Sequence, residues 1–70
     1  MNKNELRAQM ARHGDNSVSL AEALGISVTS ISEKINGKRD FTQSEISIIK
    51  QRYNLTPDET DVIFFTVKVE

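Results

Sequence analysis

Three glycines, at positions 14, 25 and 37, divide the first half of this 70-residue chain into short segments. In the first segment, Leu6 and Met10 lie four residues apart among polar neighbours, which is the spacing of one face of a helix. Because glycine readily adopts the left-handed conformation that ends a helix, each segment is predicted to be one short helix. Such a chain must build its core by packing several short helices together.

Helix start signals extend this pattern to the second half of the chain. Thr42 with Glu45, and Thr56 with Glu59, have the spacing of a capping box, and Pro57 suits the first position of a helix. The expected helices cover about residues 3–13, 17–24, 28–36, 43–53 and 57–64, with Asn16, Ser27, Thr42 and Thr56 as N-caps. The sequence therefore predicts an all-α bundle of five short helices over residues 1–64. Residues 65–70 alternate apolar and polar and are expected to form a short extended tail.

Composition excludes several classes of function. The chain has no cysteine and one histidine, His13, and no glycine-rich phosphate loop, so neither a metal site nor a nucleophile–base pair can be assembled from the usual parts. Glu22 and Glu33 are the candidate paired carboxylates, but charged residues on short helices are usually solvated. We expect no catalysis, no cofactor and no small-molecule substrate. With no apolar run that spans a bilayer and no signal peptide, the protein is expected in the cytoplasm.

Charge is unevenly distributed along the chain. The formal net charge is −1, which does not favour binding to a polyanion. Residues 1–53, however, carry eight basic and six acidic side chains, a balance of +2, whereas residues 54–70 have a balance of −3. The acidic excess thus belongs to the C-terminal end.

The second and third segments have the features of a helix-turn-helix unit. Ala21 is a small residue for the crossing of two helices, and Gly25 supplies the turn. Through LAEALGIS-VTSIS and the following INGKR, the sequence resembles the phage repressor and Cro family of helix-turn-helix proteins, which have the lambda-repressor-like fold. The resemblance covers about residues 3–64. It implies that the third helix enters the major groove of operator DNA and presents its N-terminal residues to base edges.

Helical periodicity of the third helix agrees with this role. Ile31 and Ile35 point to one side, whereas Thr29, Ser32 and Asn36 form a separate polar face. By the resemblance, the base-contact candidates are Val28, Thr29 and Ser32, and the phosphate or positioning contacts are Ser17, Asn36, Lys38 and Arg39. Small hydroxyls allow close approach to bases, and a valine can meet a thymine methyl. The alternative interpretation makes these residues ordinary surface, with Val28 completing the core and Lys38 and Arg39 in a solvated turn.

Three departures from the family pattern bear on the DNA interpretation, and the first of them weakens it. The family often has a glutamine where this chain has Ser17, and many members bury an aliphatic residue where it has Lys34, a role that Ile35 is expected to take. Glu33 adds a negative charge near the proposed DNA-contacting face, where it either accepts from a cytosine amino group or repels phosphate. With few basic residues available, a monomer is expected to bind weakly, and two half-sites would help.

The C-terminal end suggests association with another chain. Residues 62–65 are four consecutive apolar residues, more than one face of a short helix can bury. The predicted subunit-interface residues of a homodimer are Phe64, Phe65, Val67 and Val69. Alternatively, Phe64 only closes the bundle and Phe65 stays exposed.

Two functions remain open. NKNELRAQM, INGKR-FTQSEI and RYNLTPDETDVIFF resemble small regulators from temperate phages of Gram-positive bacteria. The first function is a Cro-like regulator of a lysis/lysogeny switch that binds double-stranded operator DNA. The second is a modulator of repression, an antirepressor that binds the cognate phage repressor protein through the helix-turn-helix surface or the acidic 58–61 region. Asn36, Lys38 and Arg39 favour the first, whereas the net charge, Ser17 and Glu33 favour the second.

Overall fold

The computed structural model describes residues 1–65, which form five α-helices and one π-helical turn. The helices are α1 (Lys3–Arg12), α2 (Ser17–Leu24), α3 (Val28–Ile35), α4 (Gln43–Arg52) and α5 (Pro57–Thr60), and the π-helical turn is Asp61–Phe65. No strand occurs within residues 1–65. The predicted all-α bundle of five short helices is confirmed. Residues 66–70 of the expected extended tail lie outside the described residues.

Capping side chains set the helix starts. The Asn16 side chain accepts a hydrogen bond from the Ser19 N–H at 2.9 Å, and the Ser19 hydroxyl accepts one from the Asn16 N–H at 3.0 Å. The same reciprocal exchange occurs at the starts of α4 and α5. Because each cap satisfies amide donors that the first helical turn leaves free, these short helices start at defined residues.

The turn between α2 and α3 requires its glycine. Gly25 has φ 71° and ψ 31°, a left-handed conformation in which a Cβ atom would be strained. The N–H of Ile26 donates to the carbonyl of Ala21 at 3.0 Å, and the N–H of Gly25 donates to the carbonyl of Glu22 at 3.2 Å. This pair of bonds is a Schellman motif. It leaves Ser27 in an extended conformation to cap α3 two residues later.

Each of the four longer helices contributes one fully buried aliphatic side chain to the core, and so does the π-helical turn. These are Leu6, Leu20, Ile31, Ile49 and Ile63. Burial of each contributes about 1.5–3 kcal/mol relative to exposure. Ala21 is also buried, and its small side chain lies in α2, which packs against both α3 and α4. The helix-turn-helix pair thus packs against α4 and shares one core with α1 and the π-helical turn.

The last helix is shorter than expected. We expected one α-helix over residues 57–64, but α5 ends at Thr60 and the chain continues in the π-helical turn. A π turn contains more residues than an α turn, so neighbouring side chains are rotated less relative to one another. Ile63 is buried here while Phe64 is half-buried against the core. Phe65, expected to begin the extended tail, is instead the last residue of this turn and contacts the Phe64 ring.

Candidate nucleic-acid interface

Helix α3 has one buried and one exposed face. Ile31 and Ile35 are buried, whereas Thr29 and Ser32 are exposed, and Val28 is 45 % exposed. Within residues 1–65, neither the Thr29 nor the Ser32 hydroxyl has a hydrogen-bond partner. The alternative in which Val28 completes the core does not hold, because its side chain is too exposed.

Among the hydroxyls within α3, that of Ser30 already has a hydrogen-bond partner, in the N-cap residue Ser27. The Ser27 hydroxyl donates to the Ser30 hydroxyl at 3.0 Å, and the N–H of Ser30 donates to the Ser27 hydroxyl at 3.1 Å. Ser30 is also half-buried. The cap of α3 therefore holds one hydroxyl and leaves those of Thr29 and Ser32 available to a partner.

The residues after α3 form a polar, charged corner. Asn36 caps the helix and Gly37 follows with φ 84°, which allows the N–H of Lys38 to donate to the carbonyl of Glu33 at 2.9 Å. Lys38 and Arg39 are exposed. Arg39 lies 3.7 Å from the Glu33 carboxylate, nitrogen to oxygen. The negative charge that Glu33 places near the α3 surface thus has a cation beside it, in an exposed pair of small energetic value.

A groove with a mixed polar and apolar lining brings Ser17 of α2 together with the exposed end of α3. We call this surface the polar groove after its polar lining residues, which are Arg7, Asp15, Asn16, Ser17, Ser32 and Asn36; its apolar lining residues are Met10, Ala11 and Ile35. Arg7 was not among the sequence-predicted site residues. Its guanidinium donates to the Asn36 side-chain oxygen at 3.2 Å, across 29 residues of chain. No local sequence signal could have identified this contact.

Asp15 fixes the turn between α1 and α2. Its side chain, 4 % exposed, accepts bonds from Arg52 Nε at 2.8 Å and Nη2 at 3.0 Å, from the Tyr53 hydroxyl at 2.5 Å and from the Ser19 hydroxyl. The bonds from Arg52, together with those from Ser19 and Tyr53, outweigh burial and hold the pKa of Asp15 well below its usual range. Burial, aided by the bond to Asp15, raises the pKa of Tyr53 above its usual range. His13 stacks on the Tyr53 ring with centroids 4.9 Å apart.

A buried ion pair joins α3 to α4. Lys34 Nζ lies 2.5 Å from Glu45 Oε1, and the two side chains are only 7 % and 10 % exposed. The sequence led us to expect Ile35 to take the buried place of Lys34, but both side chains are buried because Glu45 neutralises the ammonium. Burial alone raises the pKa of Glu45, but bonds from Lys34 and the Thr42 N–H outweigh it, so the pKa is lowered. One carboxylate thus both caps α4 and holds α3.

Phe64 and Phe65 differ in burial, as expected from the alternative in which Phe64 only closes the bundle and Phe65 stays exposed. Phe64 is half-buried and meets the Phe41 ring edge-on, with centroids 5.6 Å apart. Phe65 is 50 % exposed. The other two predicted interface residues, Val67 and Val69, lie outside the described residues. The subunit interface therefore stays a prediction.

Two other features are absent from the part of the chain that the structure describes. Within residues 1–65, no group of three or more histidine, cysteine, aspartate or glutamate side chains is placed to hold a metal ion. None of the helices there combines the length and apolarity needed to cross a bilayer.

Comparison with known proteins identifies the family. The model of the family described as Helix-turn-helix (HTH_3) matches residues 6–60, well over half of the chain. The chain belongs to the helix-turn-helix family. No curated protein and no solved structure matched it. The matched range contains all of the α2–α3 pair, the polar groove and the Lys34–Glu45 ion pair, and it ends before the C-terminal aromatic residues.

Membership explains the organisation around α3. The family consists of DNA-binding transcriptional regulators with a lambda-repressor-like fold. In this helix-turn-helix protein, the packed helices α1, α2 and α4 leave the start and one side of α3 open, which is the arrangement that a recognition helix needs. The structure brings Ser17, Ser32 and Asn36 together and places Val28 and Thr29 at the start of the same helix.

Proposed function

We propose that this helix-turn-helix protein binds operator DNA in a sequence-specific manner as a Cro-like regulator of a temperate-phage lysis/lysogeny switch, in the cytoplasm of the bacterial host. The observation that carries the proposal is the exposed, unpartnered hydroxyl pair of Thr29 and Ser32 on a helix whose opposite face is buried. A helix with small polar residues can lie close to base edges in the major groove.

The surrounding residues support specific roles in this proposal. Thr29 and Ser32 read base edges, and Val28 packs against a thymine methyl group. Ser17, Asn36, Lys38 and Arg39 position α3 through the phosphate backbone, whose contacts carry orientation rather than sequence information. The Glu33–Arg39 pair reduces the repulsion between Glu33 and phosphate.

Binding by two subunits fits the small number of cations. A monomer with few phosphate contacts binds weakly, whereas a dimer that contacts two half-sites adds the two sets of contacts. We propose that Phe65, with Phe64, Val67 and Val69, pairs the subunits. Half of the Phe65 surface is exposed within the described residues, which supports its availability to a partner.

The second candidate is a modulator of repression that binds the cognate phage repressor and blocks or alters its DNA binding. The negative charge of Glu33 beside the α3 surface, the exposed Asp58 of α5 and the net charge of −1 favour it. A surface with these carboxylates is complementary to the basic, DNA-reading face of a repressor.

A gel-shift experiment separates the two candidates. The probe is the intergenic operator DNA beside the regulator genes, tested with this protein alone, with the repressor alone and with both. A Cro-like regulator shifts the probe by itself. A modulator leaves the probe unshifted alone and removes or changes the shift that the repressor causes.

The double substitution Thr29→Ala with Ser32→Ala tests direct base reading. We expect the ratio of operator to random-sequence affinity to fall about tenfold or more, because a base contact contributes about 1–3 kcal/mol of discrimination and 1.4 kcal/mol is a factor of ten. Competition binding with the two DNA duplexes measures this ratio. The matched control replaces Ser44 and Ser47, two exposed hydroxyls of α4, by alanine. If the double variant of α3 keeps the wild-type ratio, the assignment of the base contacts is wrong.

A further inference from the structure

We propose that Arg7, on α1 and outside the helix-turn-helix pair, is a further DNA-contacting residue that binds a backbone phosphate lying over the polar groove. This inference rests on the proposed DNA-binding function. It extends the interface from α2 and α3 to the first helix of the domain, and it adds a cation to a surface on which the sequence had identified only Lys38 and Arg39.

The geometry places the Arg7 guanidinium at the edge of the α3 surface. Arg7 is exposed, and its Nη2 donates to Asn36 Oδ1 at 3.2 Å. A guanidinium carries five N–H donors in a planar fork that matches phosphate oxygens, and most of them remain unused here. The bond to Asn36 holds the side chain beside the exposed end of α3, so less side-chain freedom is lost when a phosphate binds.

The lining of the polar groove suits an anion. Its free volume is about 330 Å³, roughly ten times the 30 Å³ that one water molecule occupies, so a phosphodiester group fits. Among the described residues, Arg7 is the only cation that lines it, and Ser17 and Ser32 contribute hydroxyl donors.

The one acidic residue of the groove does not oppose an anion strongly. Asp15 is the acidic side chain in the lining, but it is 4 % exposed and its two oxygens accept from Arg52, Tyr53 and Ser19. The bidentate Arg52 contact neutralises its charge. The field in the polar groove is therefore dominated by Arg7.

The salt dependence of DNA binding tests this role. Each phosphate contact releases condensed counterions and contributes about 0.9 to the slope of log affinity against log salt. We expect Arg7→Gln to lower this slope by about one unit and to weaken binding on all sequences alike, while Arg7→Lys, which keeps the charge, retains most of the slope. Fluorescence anisotropy with a labelled random-sequence duplex, repeated over a series of salt concentrations that starts at low salt, measures this slope, since the phosphate contribution does not depend on sequence.

Two control variants distinguish the effect of the Arg7 charge from the effect of losing its hydrogen bond to Asn36. Arg12→Gln removes the same charge from an exposed position of the same helix that does not line the groove, and its slope should stay near the wild-type value. Asn36→Ala removes both the bond to Arg7 and the contact proposed for Asn36 itself but keeps the cation, so the slope, which reports on charge, should stay near the wild-type value. Thermal unfolding shows that each variant is folded.

The outcomes distinguish this proposal from the proposed function. If the wild-type protein binds the duplex and Arg7→Gln keeps its slope, or changes it no more than Arg12→Gln does, the Arg7 contact is wrong and DNA binding stands. If the wild-type protein binds no DNA even at low salt, the proposed function and the Arg7 contact both fail.

Discussion

Within residues 1–65, Asp15 accepts more side-chain hydrogen bonds from distant parts of the chain than any other residue. It joins the α1–α2 turn to the end of α4 through Arg52 and Tyr53, and it holds Ser19 in the first turn of α2. Because Ser17 lies in the same turn, Asp15 also fixes the α2 side of the polar groove. A carboxylate this well supplied with donors stays ionised although it is buried.

We expect the stability of the protein to depend on Asp15 at acid pH. Its folded-state pKa lies below the ordinary value of about 4, so its contribution is present above that value and is lost as the pH falls through the lower folded-state pKa. The free energy of unfolding should therefore decrease below about pH 5. Asp15→Asn should cost about 1–3 kcal/mol at neutral pH, because the hydroxyl of the buried Tyr53 and the Arg52 guanidinium lose a charged acceptor, and should flatten the acid decrease.

Urea unfolding of both proteins between neutral pH and about pH 3 measures this difference. The control is Asp40→Asn, which removes a carboxylate from an exposed loop position. An acid decrease of unchanged steepness in Asp15→Asn would show that other carboxylates, such as that of Glu45, control acid unfolding.

At the scale of the helices, the starts were predictable from sequence because each is set by partners only three residues apart. Asn16, Ser27 and Thr42 cap as predicted, and the division of α3 into a buried and an exposed face follows from helical periodicity. The DNA-contact roles of that face stay predictions. Contacts such as Arg7–Asn36 and Asp15–Arg52, which join residues 29 and 37 positions apart, depend on how the helices pack and leave no local pattern.

The π-helical turn is a second feature that local sequence could not predict. Capping and the four-residue apolar run predicted a helix after Pro57, but nothing local distinguishes an α turn from a π turn at residues 61–65. Packing of Ile63 into the core and of Phe64 against Phe41 favours the wider turn. Tertiary packing, and not the local sequence pattern, thus favours a π turn over an α turn at these residues.

We expect the buried ion pair between α3 and α4 to stabilise the packing of these two helices. Lys34→Met leaves Glu45 buried without its ammonium partner and should lower the free energy of unfolding by about 3 kcal/mol. Adding Glu45→Gln should recover most of this loss, because glutamine is neutral and its oxygen can still accept from the Thr42 N–H. Urea unfolding of the two single variants and the double variant gives the coupling between the sites. A double variant that is no more stable than Lys34→Met would contradict this account.

At the scale of the whole molecule, the proposed subunit pairing depends on the C-terminal end. Deleting residues 65–70 removes Phe65, Val67 and Val69, and we expect the mass in solution to fall from that of a dimer to that of a monomer. Light scattering measures it. The control is Ile48→Ser, which removes an exposed apolar side chain from α4 and should leave the dimer intact. An unchanged mass after the deletion would exclude these residues as the interface.

The hydrogen bond between the N–H of Asn2 and the carbonyl of Ile63, 2.7 Å long, has a mechanical consequence. It brings the backbone near one end of the domain against the backbone near the other, beside the contact of α1 with the π-helical turn. A force that pulls these two regions apart loads this bond and the α1 contact first. The α2–α3 pair lies between them along the chain and takes no part in this bond, so we expect a pull on the two ends to leave α3 in place until α1 has separated from the π-helical turn.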